Sequence, residues 1–222
     1  MQESALKRSI EVYCDFDGTI TDRDSFDFVL AALGRPGWEE IEERWERDEI
    51  TARECMRLQT ELIDGSWMEI TEVLKHVSID STFASFAKWC RQSGVKLYVV
   101  SDGVDRIIEH LLERERIQVD KVWSNRLVQE KDGYKLEFPN LGEDCSLGIC
   151  KCALLERAGT EILRVVIGDS KSDFCWAKVG DLLFAKKKLI DYCRRENIAH
   201  IEFENFQTIQ NALGEKLTFT TA

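Results

Sequence analysis

The sequence predicts an α/β protein: a doubly wound, Rossmann-like parallel sheet core with an all-helical cap inserted after the first strand. Short β-rich runs at 10–14, 95–100 and 162–167 alternate with segments whose apolar residues recur at helical spacing. Each run stops at polar residues, first Asp15 and Asp17, then Ser101, then Asp169 with Asp173 nearby. From Asp24 to about Ser78 the helical period persists without a strand signal. The expected domains are therefore a core of residues 1–22 and 80–222 and a cap of residues 23–79.

Along the chain, residues 10–14 alternate apolar and polar positions as a strand does. In the insert, Phe26, Val29, Leu30 and Leu33 mark one helix, Ile41 and Trp45 a second, Met56, Leu58 and Leu62 a third, and Ile70, Val73 and Leu74 a fourth. Gly34, Pro36 and Gly37 separate the first two. Thr51 and Ser66 stand where N-caps belong, and Thr51 with Glu54 fits a capping box. Phe83, Phe86, Ala87 and Cys90 form one face of a helix that Gly94 ends. A strand at 95–100 and a helix through Ile107 and Leu111 follow. Residues 122–138 read as a hairpin turning at Asp132-Gly133, and 150–158 as a helix. After the 162–167 strand comes a helix with Phe174, Ala177 and Val179, then a strand at 181–185. Residues 218–222 read as a loose end.

The net charge of -11 argues against nucleic acid and anionic membrane as partners. No apolar run reaches the length of an export signal or a membrane span. The eight cysteines lie mostly within apolar segments, which fits reduced thiols in the cytoplasm. Cys145, Cys150 and Cys152 are spaced unlike a pair of Cys-x-x-Cys knuckles, and as zinc ligands they lack a fourth. His76, His110 and His200 lie singly, and Trp38, Trp45 and Trp67 are residues of the cap core. No His-Glu-x-x-His, Gly-x-Ser-x-Gly or Walker loop is present.

Ligands of open α/β sheets bind beyond the carboxyl ends of the strands, so the polar strand ends should meet in one pocket. Gathered carboxylates repel one another unless a cation compensates, and Mg²⁺ suits an all-oxygen site. A carboxylate there can attack phosphorus, and a second one two residues along can protonate the leaving oxygen. Gly18 permits a tight turn with phosphate-binding amides beyond it. Ser101 can donate its hydroxyl to a phosphate, and Lys151 can balance its charge. Taken singly, each has a plainer reading: Asp-x-Asp as a solvated turn, Ser101 as an N-cap, Asp173 as a first-turn acid, Lys151 as a surface lysine. Their shared placement at strand ends and helix starts sets the group apart.

Asp15-Phe16-Asp17-Gly18-Thr19 resembles the first motif of the haloacid dehalogenase superfamily, Ser101 its second, Lys151 its third, and Gly168-Asp169-Ser170-Lys171-Ser172-Asp173 its fourth. The insert resembles the cap of the phosphoserine-phosphatase-like branch. Thr21, the Gly-Asp-Ser form of the fourth motif, the cysteines around Lys151, the 181–185 run and Cys193-Arg194 resemble the bacterial 2-hydroxy-3-keto-5-methylthiopentenyl-1-phosphate phosphatases of methionine salvage. The resemblance implies Asp15 as nucleophile and Asp17 as general acid/base. It implies a Mg²⁺ held by Asp15, Asp17 (through its carbonyl), Asp169 and Asp173. It further implies a phosphate held by Gly18, Thr19, Ser101, Asp102, Gly103 and Lys151. Asp24, Arg53 and Arg57 are the cap residues proposed to meet the substrate. The expected activity is Mg²⁺-dependent hydrolysis of a small phosphate ester by a monomer or homodimer, the salvage enol phosphate being one candidate. Phosphoserine hydrolysis, phosphoryl transfer to another acceptor, and a non-catalytic binding protein are the alternatives.

Overall fold

A computed structural model describes residues 9–142, 145–159 and 161–219. The opening strand β1 (Ser9–Cys14) is followed by four helices, α1 (Ser25–Leu33), α2 (Trp38–Glu46), α3 (Ala52–Thr60) and α4 (Trp67–Leu74). The alternating pattern then resumes with α5 (Phe83–Gln92), β2 (Lys96–Val104) and α6 (Asp105–Arg114). A hairpin of β3 (Lys121–Glu130) and β4 (Gly133–Glu137) leads to α7 (Lys151–Glu156) and β5 (Ile162–Gly168). A 3₁₀ turn (Lys171–Asp173) runs into α8 (Phe174–Ala177), followed by β6 (Leu182–Ala185), α9 (Lys188–Glu196), β7 (Ile201–Glu202) and α10 (Phe206–Phe219).

The seven strands form one sheet in the order β4-β3-β2-β1-β5-β6-β7, parallel except for β4. The sheet is wound from β1 in both directions, which opens a crevice at the carboxyl end of β1 between β2 and β5. Alternation along the strands feeds two cores. Val12, Cys14, Leu97, Val99, Val165 and Ile167 pack with Phe83 and Phe86 of α5, Ile108 of α6 and Phe206 of α10. Tyr13, Val100 and Val166 face Leu154 of α7, Trp176 of α8 and Leu189 of α9 on the other side. Helices thus cover both faces, as a largely parallel sheet requires.

The four-helix insert leaves and rejoins the core through one paired neck. Thr21 bridges Ile79 in antiparallel fashion, and the Asp22 N–H donates to Ser78 O (3.0 Å) while the Asp80 N–H donates to Ile20 O (2.8 Å). Ser66 makes a full capping box with Glu69. At Thr51 only half of the expected box forms, because the Glu54 carboxylate turns to Arg57 (2.7 Å) instead. Gly94 (φ +69°) ends α5 as expected, its N–H and that of Val95 returning to Arg91 and Cys90.

Several expectations change. β2 does not stop at Ser101. It continues to Val104 through an irregularity in its pairing with β3 that lies between Val100 and Val104. Ser101 is consequently not an N-cap; α6 starts after Val104. Val179 lies beyond the four-residue α8. The expected loose end is helical as far as Phe219, and residues 220–222 lie outside the described residues. No helix of the described residues is long and apolar enough to cross a membrane.

Candidate active site

The turn after β1 sets the geometry. The Asp15 N–H extends the ladder to Ile167 O (2.9 Å), and then the chain folds back so that the N–H groups of Thr19, Ile20 and Thr21 all reach Phe16 O. Gly18 sits at φ +73°, where a side chain is strained, and a Cβ there would lie 2.5 Å from Asp169 Oδ2. Phe16 is wholly buried in the core and anchors the turn. The carboxylates on either side of it go to different partners.

Asp15 joins a closed group. Lys151, the first residue of α7, is fully buried, and its Nζ donates to Asp15 Oδ1 (2.6 Å), Asp173 Oδ1 (2.7 Å) and Ser172 Oγ (3.1 Å) over the face of Trp176. Asp173 is held from its other oxygen by the N–H groups of Asp169 (2.9 Å) and Ser170 (3.1 Å). Asp169 accepts from Thr19 Oγ1 (3.2 Å) and from Lys187 Nζ (3.1 Å). Ligand oxygens of Asp15, Asp169 and Asp173 lie within 4.8 Å of one another, and all three residues are buried. Burial drives the Asp15 pKa well above the carboxylate range; Lys151 opposes that, while Asp173 and Asp169 add to it. Asp169 is raised by burial and then by Asp173, with Lys187 pulling the other way. Burial disfavours the charge on Lys151, yet Asp15 and Asp173 outweigh it and hold the ammonium far above the ordinary lysine value.

Asp17 lies apart from that group. Its Oδ1 accepts from the N–H (2.8 Å) and hydroxyl (2.6 Å) of Ser25 at the start of α1, and its Oδ2 from Ser101 Oγ (3.4 Å). Burial raises its pKa, and the Ser25 and Ser101 bonds partly offset this. Ser101 Oγ also accepts from the Gly103 N–H (2.9 Å), and a Cβ on Gly103 would lie 2.5 Å from Asp17 Oδ2. Asp15, Asp17, Ser101, Lys151, Asp169 and Asp173 are therefore brought together at the crevice.

Other expected residues are placed differently. The Asp102 carboxylate turns to the loop before α7, accepting from the Ile149 N–H (3.0 Å) and from Asn125 Nδ2 (3.4 Å). The Gly18 and Thr19 amides are engaged within the turn, by Thr21 Oγ1 and Phe16 O. Asp24 caps α1 through the N–H groups of Phe26 and Asp27. Arg53 donates to the carbonyls of Cys145 and Leu147, tying α3 to the loop before Lys151. Arg57 is engaged by Glu54 and Glu61 on an exposed stretch of α3. A second link joins the insert to the fourth motif, where Lys171 lies over the Trp45 ring and 3.6 Å from Asp48.

Sequence reasoning missed Lys186 and Lys187. Lys187 donates to Gly18 O (2.6 Å) as well as to Asp169, and Lys186 donates to Thr19 O (2.8 Å). Both directly follow β6, so the strand-end rule that found the acids would have found them too. Ser25 and Asn125 had no comparable signal.

A profile of haloacid dehalogenase-like hydrolases matches residues 12–178. The chain belongs to this family. As a haloacid dehalogenase-like hydrolase it is 30% identical over 211 residues to the Bacillus cereus 2-hydroxy-3-keto-5-methylthiopentenyl-1-phosphate phosphatase, covering 92% of this chain and 96% of that protein. It is 32% identical over 230 residues to Pdp3-interacting factor 1 of Schizosaccharomyces pombe, covering 98% and 100%. A substrate-bound phosphoserine phosphatase structure superposes with a TM-score of 0.72 at 19% identity over 93% of this chain and 99% of that one, a likeness of fold. The hydrolase is a phosphatase enzyme, and its doubly wound core is that of this family.

Proposed function

We propose that this phosphatase hydrolyses a small phosphate monoester through an aspartyl-phosphate on Asp15, with Mg²⁺ as cofactor, and that its substrate is the methionine-salvage enol phosphate. The reading includes a cytoplasmic monomer or homodimer that needs no nucleic acid or membrane. The observation that carries the chemistry is the buried Asp15–Lys151–Asp173 bridge beside Asp169 at the end of β1. The full-length relatives that bear the salvage enzyme's name support the substrate. The eight free cysteines support a reducing compartment.

The donor set fits a hard cation, because three carboxylates converge with no nitrogen or sulfur ligand among them. Asp15, Asp169 and the Asp17 carbonyl would hold Mg²⁺, with Asp173 supporting them through its hydrogen bonds. When bound, Mg²⁺ neutralises phosphoryl oxygens and so lets an anionic ester enter an acidic site. Lys151 favours the ionised form of Asp15 against its burial, as a bound cation would, and leaves its second oxygen to attack phosphorus. As that bond forms, the bond from phosphorus to the ester oxygen breaks. Asp17, which has no ion pair among the described residues, gives its proton to the departing oxygen. Asp17 then takes a proton from water as the water oxygen attacks phosphorus and the bond from phosphorus to Asp15 breaks, which releases inorganic phosphate and restores the Asp15 carboxylate and the Asp17 acid. Ser101 donates to the phosphoryl group, Asp102 contributes a main-chain N–H beside it, and Gly103 lets the loop pass close while its own N–H holds Ser101 Oγ.

Residues 23–79 act as the cap over a core of residues 1–22 and 80–222. Their contacts through Arg53, Trp45 and Asp48 support a role in closing the crevice. Phosphate release from a panel containing the salvage enol phosphate, phosphoserine, sugar phosphates and pyridoxal phosphate, with and without Mg²⁺, tests the reading. Mg²⁺-dependent release that favours the enol phosphate supports it. A preference for phosphoserine would replace the substrate, and no release from any compound would refute hydrolysis.

A further inference from the structure

Four of the eight cysteines converge beside the site. Cys145 and Cys150 come from the loop before α7, Cys152 from the first turn of that helix, and Cys175 from α8. Cys150 Sγ lies 3.5 Å from Cys152 Sγ. Cys145 lies beside Cys150 at Gly142, where a Cβ would be 2.5 Å from Cys150 Sγ and 3.5 Å from Cys145 Cβ, and the Cys152 and Cys175 thiols act on one another electrostatically, so the four run as a string from one segment to the other. The fourth ligand that the sequence lacks thus comes from the helix that follows Asp173.

Packing as small apolar residues does not account for this arrangement. Cys14, Cys55, Cys90 and Cys193 are each buried, whereas in this group only Cys150 is, and Cys145, Cys152 and Cys175 are half-buried. A tetrahedral Zn²⁺ with four thiolates at about 2.3 Å holds its sulfurs about 3.8 Å apart, close to the 3.5 Å between Cys150 and Cys152.

We propose that Cys145, Cys150, Cys152 and Cys175 are the ligands of a structural zinc ion that staples the loop before Lys151 to the helix after Asp173. Among the described residues no three of these sulfurs lie mutually within 4.8 Å, so binding draws the two ends of the string together. Gly142 leaves the room that Cys150 needs, since a Cβ there would lie 2.5 Å from its sulfur. Each thiol gives its proton to solvent as its sulfur binds zinc. Without a cation the ionised forms are suppressed: burial pushes Cys145 to about 11 against a hydrogen bond from the Leu147 N–H, and burial with the Cys175 thiol pushes Cys152 to about 12. A dication reverses that balance. The ligands Cys150 and Cys152 flank Lys151 in sequence, so the staple fixes the backbone that carries the ammonium between Asp15 and Asp173. Arg53 grips the same loop through the carbonyls of Cys145 and Leu147.

The test is elemental analysis of the full chain, produced with zinc in the medium and then desalted, together with the absorption spectrum of the cobalt-substituted protein. The expected result is one zinc per chain and a cobalt spectrum with strong thiolate-to-metal charge-transfer bands. Cys175→Ser and Cys152→Ser should lose the zinc, whereas Asp169→Asn should keep it. Should the cysteine variants fail to fold, the cobalt spectrum of the wild-type protein decides alone. Zinc retained by Cys175→Ser but lost from Asp169→Asn would place it among the carboxylates and overturn the proposal. So would metal-free protein with all four thiols open to alkylation, or a Cys150–Cys152 disulfide found by mass spectrometry. None of these readouts depends on turnover, so the staple can fail while the phosphatase reading stands.

Discussion

Replacing Lys151 by methionine keeps most of the side-chain volume and removes the charge with its three hydrogen-bond donors. The ammonium is fully buried, at 2.6 Å from Asp15 and 2.7 Å from Asp173, with Ser172 as its third acceptor. Breaking a buried pair by deleting one partner costs about 3–5 kcal/mol, because an uncompensated charge stays behind. Here two carboxylates are left, so the loss should lie at the upper end at about pH 7.5. Burial already holds the folded-state Asp15 pKa above its unfolded value, and removing Lys151 raises it further. A carboxylate shifted upward gives stability that is present at low pH and lost as pH rises through its folded pKa. Lys151 itself is shifted upward in the wild type, so its contribution persists across this whole window. The penalty of Lys151→Met should therefore shrink on going from about pH 7.5 to about pH 5, by about 1.4 kcal/mol for each unit of additional shift that is titrated. Urea unfolding of chelator-treated wild type and variant at both pH values measures it. A difference below about 1 kcal/mol at both, or a penalty that grows toward acid, would refute the idea that Lys151 is the counter-ion of the buried pair.

Asp15→Asn should fold normally and lose at least ~10³-fold in turnover, about 4 kcal/mol of barrier; phosphate release within tenfold of wild type would remove Asp15 from the nucleophile's role. Lys187→Ala should bind Mg²⁺ more tightly, because Lys187 competes for Asp169 Oδ2. With its side chain half exposed and screened, the gain should be only about 0.2–1 kcal/mol, up to ~5-fold in calorimetric titration; unchanged or weaker binding would count against competition. Gly18→Ala should lose about 1–2 kcal/mol from its left-handed backbone alone. It should also weaken Mg²⁺ binding by pushing Asp169 aside, which thermal denaturation with and without Mg²⁺ can separate.

The parts of the molecule written in local pattern were legible. The alternation of β1, the apolar runs of β2 and β5, the helical period of α1 to α4 and the turn at Asp132-Gly133 each follow from neighbours in the chain. The convergence of Asp15, Ser101 and Asp169 followed from one topological rule, and Lys151 from the need for a cation near them at a helix start. What stayed hidden depends on contacts between distant segments. The α9 and α10 helices carry their apolar residues toward the sheet and α5, so their stability comes from tertiary burial more than from local signals. Arg53 and Arg57 sit on one helix and look equivalent in sequence. Only the fold shows that one grips the loop before α7 while the other pairs with Glu54 and Glu61. Cys175 gave no sign of its partners, because the string of sulfurs exists only once α8 packs beside α7.

The central claim is that Asp15 carries the phosphoryl group. Enzyme quenched with acid during turnover with Mg²⁺ and the enol phosphate, then reduced with borohydride and digested, tests it directly, since reduction converts an acyl phosphate into a stable alcohol. The account predicts homoserine at position 15 in wild type and none without substrate. Aspartate unchanged at position 15, with the phosphoryl group found on another residue, would contradict it.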